Sequence, residues 1–536
     1  MSSSAPAANW PPALAPLQGP VFRMLWLAWL AANISMWMND VAAAWLMTSL
    51  TDSAVMVALV QAASTLPVFV LGLPSGALAD TLDRRRYFAG TQLWVALVAV
   101  VLCLVSLAGA LTAPLLLLLT FANGVGLALR WPVFAAIVPE LVDRQQLPAA
   151  LALNGVAMNM SRIIGPVFAG ALLASVGGAY VFLVNAVLAV IAFTLIWRWR
   201  SVQKPSALPG ERFVGAMRVG LQHVWQSPRM RAIWVRVFLF FIQSISLTAL
   251  LPLIARQNHG GSASAFTVML AAMGAGAITM VMLMPRLRHR LPRDRMVQVG
   301  TLLHAAMACG VVLSPTLWLA VPAMFVSGMA WIGTANTLTV TAQLSLPNWV
   351  RARGMSIYQM GLMGGSAAGA AIWGQLASWT DLRTAIFAAA GFGLVTLLAA
   401  RKISIGGGDT PDDDMSPALP QAMLAEPAGA VDPDAGPVMV TVEYRIDPAQ
   451  AAAFRAVMRD TRAARLRQGA LSWGLFKDVS VPGRYIEYFL DETWIEHLRR
   501  HERFTAADVD LRERRLAFHV GGEPPRVKRY VDDEGD

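Results

Sequence analysis

"GALADTLDRRRYFAG", residues 76–90, separates two long apolar runs with two aspartates and three consecutive arginines. Such a stretch is either a solvated loop of a soluble protein or a turn between membrane helices. The surrounding composition decides between them. The chain has 536 residues, 56% hydrophobic and only 14% charged, with a mean hydropathy of +0.52; soluble domains carry roughly 25% charged residues. Apolar stretches of about 20 residues, each able to cross a ~30 Å hydrocarbon core, recur from Phe22 to Ala400. The fold class expected is an all-α polytopic membrane protein.

Working outward from 76–90, spans fall near 21–50, 54–79, 88–109, 113–138, 149–175 and 179–200. A polar, basic stretch, 201–231, follows. Further spans lie near 232–256, 264–285, 296–314, 316–345, 354–379 and 383–401. The layout is twelve transmembrane helices in two six-helix halves, 21–200 and 232–402, around a central loop, 201–231, with an N-terminal tail at 1–20. Spans as long as 21–50 point to tilt. The Ser/Ala/Pro-rich tail lacks the basic start of a cleaved signal peptide.

The arginines orient the chain. Arg84, Arg85 and Arg86, the stretch from Arg198 to Arg231, Arg286 to Arg295, Arg351, Arg353, Arg401 and Lys402 all fall in one set of loops. The alternate loops are nearly free of basic residues, with Arg256 and Arg383 as exceptions. By the positive-inside rule both termini and residues 76–90 are expected in the cytoplasm, the chain spanning the inner (cytoplasmic) membrane. The net charge of +10 therefore reports topology, and no nucleic-acid partner is expected. Cys103 and Cys309 both lie in apolar runs, which argues against a disulfide framework or a cysteine metal site. No metal and no cofactor are expected.

Polar residues inside membrane spans are the default functional candidates. Asp40 is the acid set deep in a span, with Asn33 and Asn39 on the same helix. Arg130 lies in helix four and Arg162 in helix five, and Gln61, Asn123, Gln243 and Asn336 complete the candidate cavity set. Asp40 is read as the proton-coupling group. It lies about 18 residues, roughly 27 Å, along helix one, so a structural ion pair or a wet position near the outer interface is the competing reading. His304 reads as a hydrogen-bonded packing residue.

The halves carry a faint repeat. "PELVDRQQLPAALALNG" precedes helix five as "PNWVRARGMSIYQMG" precedes helix eleven, and "GPVFAGALLAS" corresponds to "GAAIWGQLAS". Two parallel six-helix repeats are the plan of major facilitator transporters. The 76–90 segment resembles that family's motif between helices two and three: Gly76, Leu78, Ala79, Asp80, Arg84 and Arg85 match, while Thr81 and Asp83 depart from it. The resemblance implies that Asp80 latches against the start of helix eleven, near Arg353–Met355. A carboxylate at a helix N-terminus gains about 0.3–1 kcal/mol.

In helix five, "NMSRIIGPVFAG" (159–170) resembles the antiporter motif of the family's exporters. Gly165, Pro166 and Gly170 match, whereas Ser161 and Ala169 stand where glycines are common. Proline permits a bend and small residues allow close helix approach; Arg162, beside them, reads as structural. Residues 21–401 as a whole resemble the subgroup containing the enterobactin exporter and macrolide-efflux proteins. That resemblance implies proton-driven export, with a small organic substrate, protons and the lipid bilayer as partners; an importer is the alternative that the antiporter motif opposes.

Past Lys402 the composition changes. Residues 403–436 form an acidic, Pro/Gly-rich linker that cannot bury a core. Residues 437–536 read as a soluble α+β domain in β-α-β-β-α-β order, which is ferredoxin-like. "VMVTVEYRI" (438–446) alternates, with Val438, Val440, Val442, Tyr444 and Ile446 on one face. "EHLRRHERFTAAD" and the segment's length resemble antibiotic biosynthesis monooxygenase-like domains, which implies dimerisation through this domain and leaves open a transporter fused to an enzyme. His497 and His501 are four residues apart, a spacing metals use. Without a third ligand they read as a polar helix face.

Overall fold

The computed structural model describes residues 12–143, 146–199, 213–258, 263–288, 290–347, 349–399, 404–405 and 431–532. The first half comprises α1 (Pro20–Leu50), α2 (Ala54–Thr81), α3 (Arg84–Leu107), α4 (Ala113–Leu141), α5 (Leu147–Ser175) and α6 (Gly178–Arg198). A short helix, α7 (Phe213–Gln226), lies in the connector. The second half holds α8 (Pro228–Asn258), α9 (Ala263–Arg288), α10 (Arg293–Leu313), α11 (Leu317–Leu344), α12 (Arg351–Trp379) and α13 (Leu382–Ala399).

Among the described residues, eleven helices are long and apolar enough to cross a membrane. The remaining long helix, α12, has 29 residues but mixes glycine, serine, glutamine and arginine among its apolar positions. Small residues let membrane helices approach closely, and α12 is packed that way: Gly364 meets Phe69 of α2, and Gly365 meets the Phe238 backbone of α8.

The described chain forms two compact units. The first covers 1–210, 235–339 and 358–403, the second 211–234, 340–357 and 404–536. In the first, α2 packs on α4, α3 on α6, and α1 on α5 and α6, while α10 packs on α13 and α5 on α9. Met38, Leu102, Phe182, Leu250, Ile254, Met324 and Ile386 belong to one buried apolar core. A second cluster, with Leu25, Phe88, Phe134, Ile137 and Ile196, joins the first turns of α1 and α3 to the last turns of α4 and α6.

The second unit contains the α+β domain: β1 (Val438–Arg445), α14 (Ala451–Arg467), β2 (Ser472–Lys477), β3 (Arg484–Asp491), α15 (Trp494–Glu502), α16 (Ala506–Leu516) and β4 (Arg526–Val531). Its strands run β2-β3-β1-β4 with every pairing antiparallel, Val440 opposite Phe489 and Val442 opposite Val527. This is the expected ferredoxin-like sheet. Val438, Val440, Val442 and Tyr444 face Phe454, Met458 and Phe489 in its core. The domain reaches back into the segment read as linker: Ala435 and Pro433 accept hydrogen bonds from the Trp494 and Ile495 amides at 2.8 and 2.9 Å.

Candidate functional site

The first half gathers its polar side chains around α1. Asn185 of α6 donates from Nδ2 to the Asn39 side-chain oxygen at 3.2 Å and accepts from the Ser35 hydroxyl. Ser35, Asn123, Arg130 and Asn185 line one small recess between α1, α3, α4 and α6, with Ala32, Met36, Val95 and Leu127 as its apolar wall. Asn185 and Ser35 were not among the residues picked from the sequence. The signal for Asn185 was there, a lone asparagine in the apolar run "VFLVNAVLAV".

Arg130 is 2% exposed. Its guanidinium lies 5.1 Å from the Trp29 ring, and Nε and Nη2 have no hydrogen-bond partner among the described residues. Asn33 is buried beside this group but donates to the Trp29 carbonyl of its own helix at 2.8 Å. Asp40 lies one turn beyond Met36, half-buried, with Ser64 of α2 as a polar neighbour of its carboxyl. Among the described residues Asp40 makes no ion pair with Arg130 or Arg162.

Arg162 occupies a different setting. Its guanidinium lies 5.3 Å from the Trp37 ring of α1 and 4.8 Å from the Trp331 ring of α11, so it bridges the two halves. Close approach is what the adjoining glycines supply. A methyl group on Gly165 would come within 2.5 Å of the Trp37 Cβ, and one on Gly170 would overlap the Thr267 side chain of α9. The Gly165-Pro166 segment thus seats α1 and α9 against α5, with Pro166 inside an unbroken helix.

In the motif at 76–90, the side chains of Gly76, Asp80 and Arg84 lie outside the described residues. Arg85 is described: its Nη2 donates to the Trp197 carbonyl at the end of α6. Asp83, which departs from the family's pattern, accepts a hydrogen bond from the Arg86 amide at 2.8 Å and N-caps α3. A carboxylate there satisfies one of the helix's free amide donors.

Other candidates stand apart from the recess. Gln61 is half-buried on α2 and Asn336 on α11. Gln243 is buried against Gly393 in the second half, its Oε1 without a partner among the described residues. His304 is fully buried and bonds to the Ser327 hydroxyl (2.9 Å) and the Ser244 carbonyl (3.2 Å).

The soluble domain has a buried polar cluster of its own. Glu487 accepts from Arg465 (3.0 Å), Trp473 Nε1 (3.0 Å) and the Tyr444 hydroxyl (2.9 Å). Burial alone would raise its carboxyl, but the Arg465 and Arg515 guanidiniums outweigh that and hold it at about 2. His497, 1% exposed, meets Asp491 at 2.8 Å and accepts from Arg529 at 3.2 Å. Burial, then the neighbouring Arg500 charge, lowers His501 to about 3. Of the histidine pair read as a polar helix face, His497 is instead buried, against Asp491 of β3 and Arg529 of β4, and His501 is half-buried. Among the described residues no group of His, Cys, Asp or Glu is placed to hold a metal ion.

The sequence profile described as "Transmembrane secretion effector" matches residues 11–535. The chain belongs to this family. It is a transporter of the major facilitator type carrying a ferredoxin-like C-terminal domain. The Staphyloferrin A transporter of Staphylococcus aureus is 22% identical over 326 residues, 60% of this chain and 81% of the relative. The Enterobactin exporter EntS of Escherichia coli is 25% identical over 381 residues, 70% of this chain and 90% of the relative. Macrolide efflux protein A of Streptococcus pyogenes is 24% identical over 245 residues, 45% and 60% respectively. Among solved structures, a bacterial homologue of the human lysosomal transporter Spinster, inward-facing and unoccupied, aligns with a TM-score of 0.59 at 15% identity, covering 74% of this chain and 99% of that one. The nucleoside transporter NupG aligns at 0.54 and 14% identity, over 72% and 98%.

Proposed function

We propose that this protein is a proton-coupled secondary exporter that moves a small organic molecule, drug-like or siderophore-like, out of a bacterial cell by alternating access. The observation that carries this reading is the position of Asp40. It is the one carboxyl of α1, with Ser64 of α2 as a polar neighbour, and it lies one turn beyond the recess formed by Ser35, Asn123, Arg130 and Asn185. A titratable acid beside a polar cavity is the arrangement that lets protonation and substrate occupancy influence each other. The relatives named for staphyloferrin A, enterobactin and macrolides support a substrate of that size and chemistry.

In this reading the chain sits in the inner membrane with both termini and the connector in the cytoplasm, following its arginine distribution. The halves rock about the central cavity, and Asp80, with Gly76, Arg84 and Arg85, closes the cytoplasmic side. Each proton moving inward contributes ~2.3 kcal/mol per 100 mV of membrane potential.

Asp40→Asn tests the proposal, because it removes the titrating proton while keeping the side chain's shape. In everted vesicles, wild-type protein should release protons on addition of a transported compound, from a panel including enterobactin and a macrolide. The variant should bind the same compound without proton movement. Proton flux equal to wild type in Asp40→Asn would take Asp40 out of the mechanism.

A further inference from the structure

The soluble domain and the connector share one interface inside the second compact unit. Arg218 of α7 donates to Glu492 at 2.7 Å and to the Gly469 carbonyl at 3.3 Å. Gln222, one turn on, donates to the Ala470 carbonyl at 3.4 Å. On the same side of the domain, Arg503 lies over the Trp349 ring at 5.1 Å, and Trp349 receives His223 of α7 edge-on at 5.4 Å. Gly220 of α7 is packed against Arg353 at the start of α12.

These contacts tie three segments together: α7, the turn between α11 and α12, and the folded domain. Two of the segments are continuous with membrane helices. Alpha7 is separated from α8 by Ser227 alone, and residues 340–357 contain the last turn of α11 and the first turns of α12. The domain therefore rests on α7, which leads into α8, and on the turn that joins α11 to α12. The Arg218–Glu492 pair is only 25% and 30% exposed, less wet than an ordinary surface ion pair.

We propose that the C-terminal domain is a cis-acting regulator, whose docking on α7 and the α11–α12 turn biases the equilibrium between the transporter's two access states. Any rocking of the second half must either carry the docked domain or release it. A docking energy that differs between the two states shifts their populations by that difference. The inference goes beyond the export reading and holds whatever the substrate is.

The test uses the full chain in membranes, lacking Cys103 and Cys309, with Asp52→Cys and Arg256→Cys as reporters. These two positions, in the turn between α1 and α2 and in the last turn of α8, form an exposed ion pair at 3.7 Å, and their disulfide formation reads how often those ends meet. Arg218→Glu and Glu492→Arg should each slow the crosslink by about threefold or more, and the double exchange should restore it. Equal rates in all four backgrounds would show that docking does not reach the membrane helices. A double variant as slow as the single ones would show that this ion pair is not the link. No substrate enters the assay, so its failure would leave the export reading standing.

Discussion

The Arg130 guanidinium lies against the Trp29 ring at 5.1 Å, and that ring stacks flat on Phe134 at 3.9 Å. The aromatic pair backs the cation, whose Nε and Nη2 have no partner among the described residues. A buried cation without a counter-charge destabilises the fold. Arg130→Met, which keeps the length of the side chain and removes its charge, should raise the melting temperature of the detergent-solubilised protein by about 2–4 °C and reduce export to background. Arg130→Lys should not rescue export, because an ammonium lacks the planar face. Wild-type transport in Arg130→Met would exclude a role in the cavity.

Helices α5 and α9 touch where Gly170 meets Thr267. Gly170→Ala should force the two helices apart and destabilise the protein by about 1–3 kcal/mol. Thr267→Ala, nearly silent alone, should recover most of that loss in combination. Thermal unfolding of the four proteins measures the coupling, and simple additivity would contradict the contact.

The soluble domain should lose stability in mild acid through His501. Its folded pKa is lowered to about 3 by burial and by Arg500, against about 6.5 unfolded. Between those values the unfolded chain takes up a proton that the folded domain refuses, so stability is full above about pH 6.5 and falls as the pH drops toward 3. His501→Phe should flatten this dependence in urea unfolding of a 431–532 fragment. Glu487, held at about 2, contributes stability that is present above about pH 4.5 and lost toward pH 2. The two residues therefore act in overlapping windows, and an unchanged slope between pH 6 and 5 in His501→Phe would rule out the histidine.

The outer face of the sheet is only partly polar. Phe476 is 60% exposed, Tyr530 45% and Met439 37%, beside Thr441, Glu443 and Arg445. Covering those rings is a physical reason for two domains to pair, and the fragment should be mostly dimeric at micromolar concentration. Phe476→Lys should make it monomeric by light scattering without unfolding it. A wild-type fragment that is strictly monomeric would remove dimerisation from the picture.

The membrane helices were legible because the bilayer imposes one length and one composition on each. Alpha12 stretched that rule, since a helix covered by neighbours through Gly364 and Gly365 does not need apolar side chains. The polar recess was half legible. Asn39, Asn123 and Arg130 stood out as polar residues in apolar runs, yet the bond that joins Asn39 to Asn185 spans 146 positions, a distance no local periodicity encodes. Asp83 looked like a fault in a motif until its bond to the Arg86 amide showed it capping a helix. His497 and His501 had a readable spacing but not a readable depth, because Arg529, which bonds to His497, arrives from the last strand.

The contact between Arg218 and Glu492 joins residues 274 positions apart, with the second half made in between. At ~5–20 residues per second, a ribosome that has finished α7 needs roughly 13–53 s more to reach Glu492. Throughout that interval the face of α7 that bears Arg218 and Gln222 has no domain to rest on, while α8 to α13 are being inserted beside it. The connector is thus among the first soluble elements made and among the last to reach its final place. A chain interrupted before β3 would carry every membrane helix and still leave α7 without its carboxylate partner.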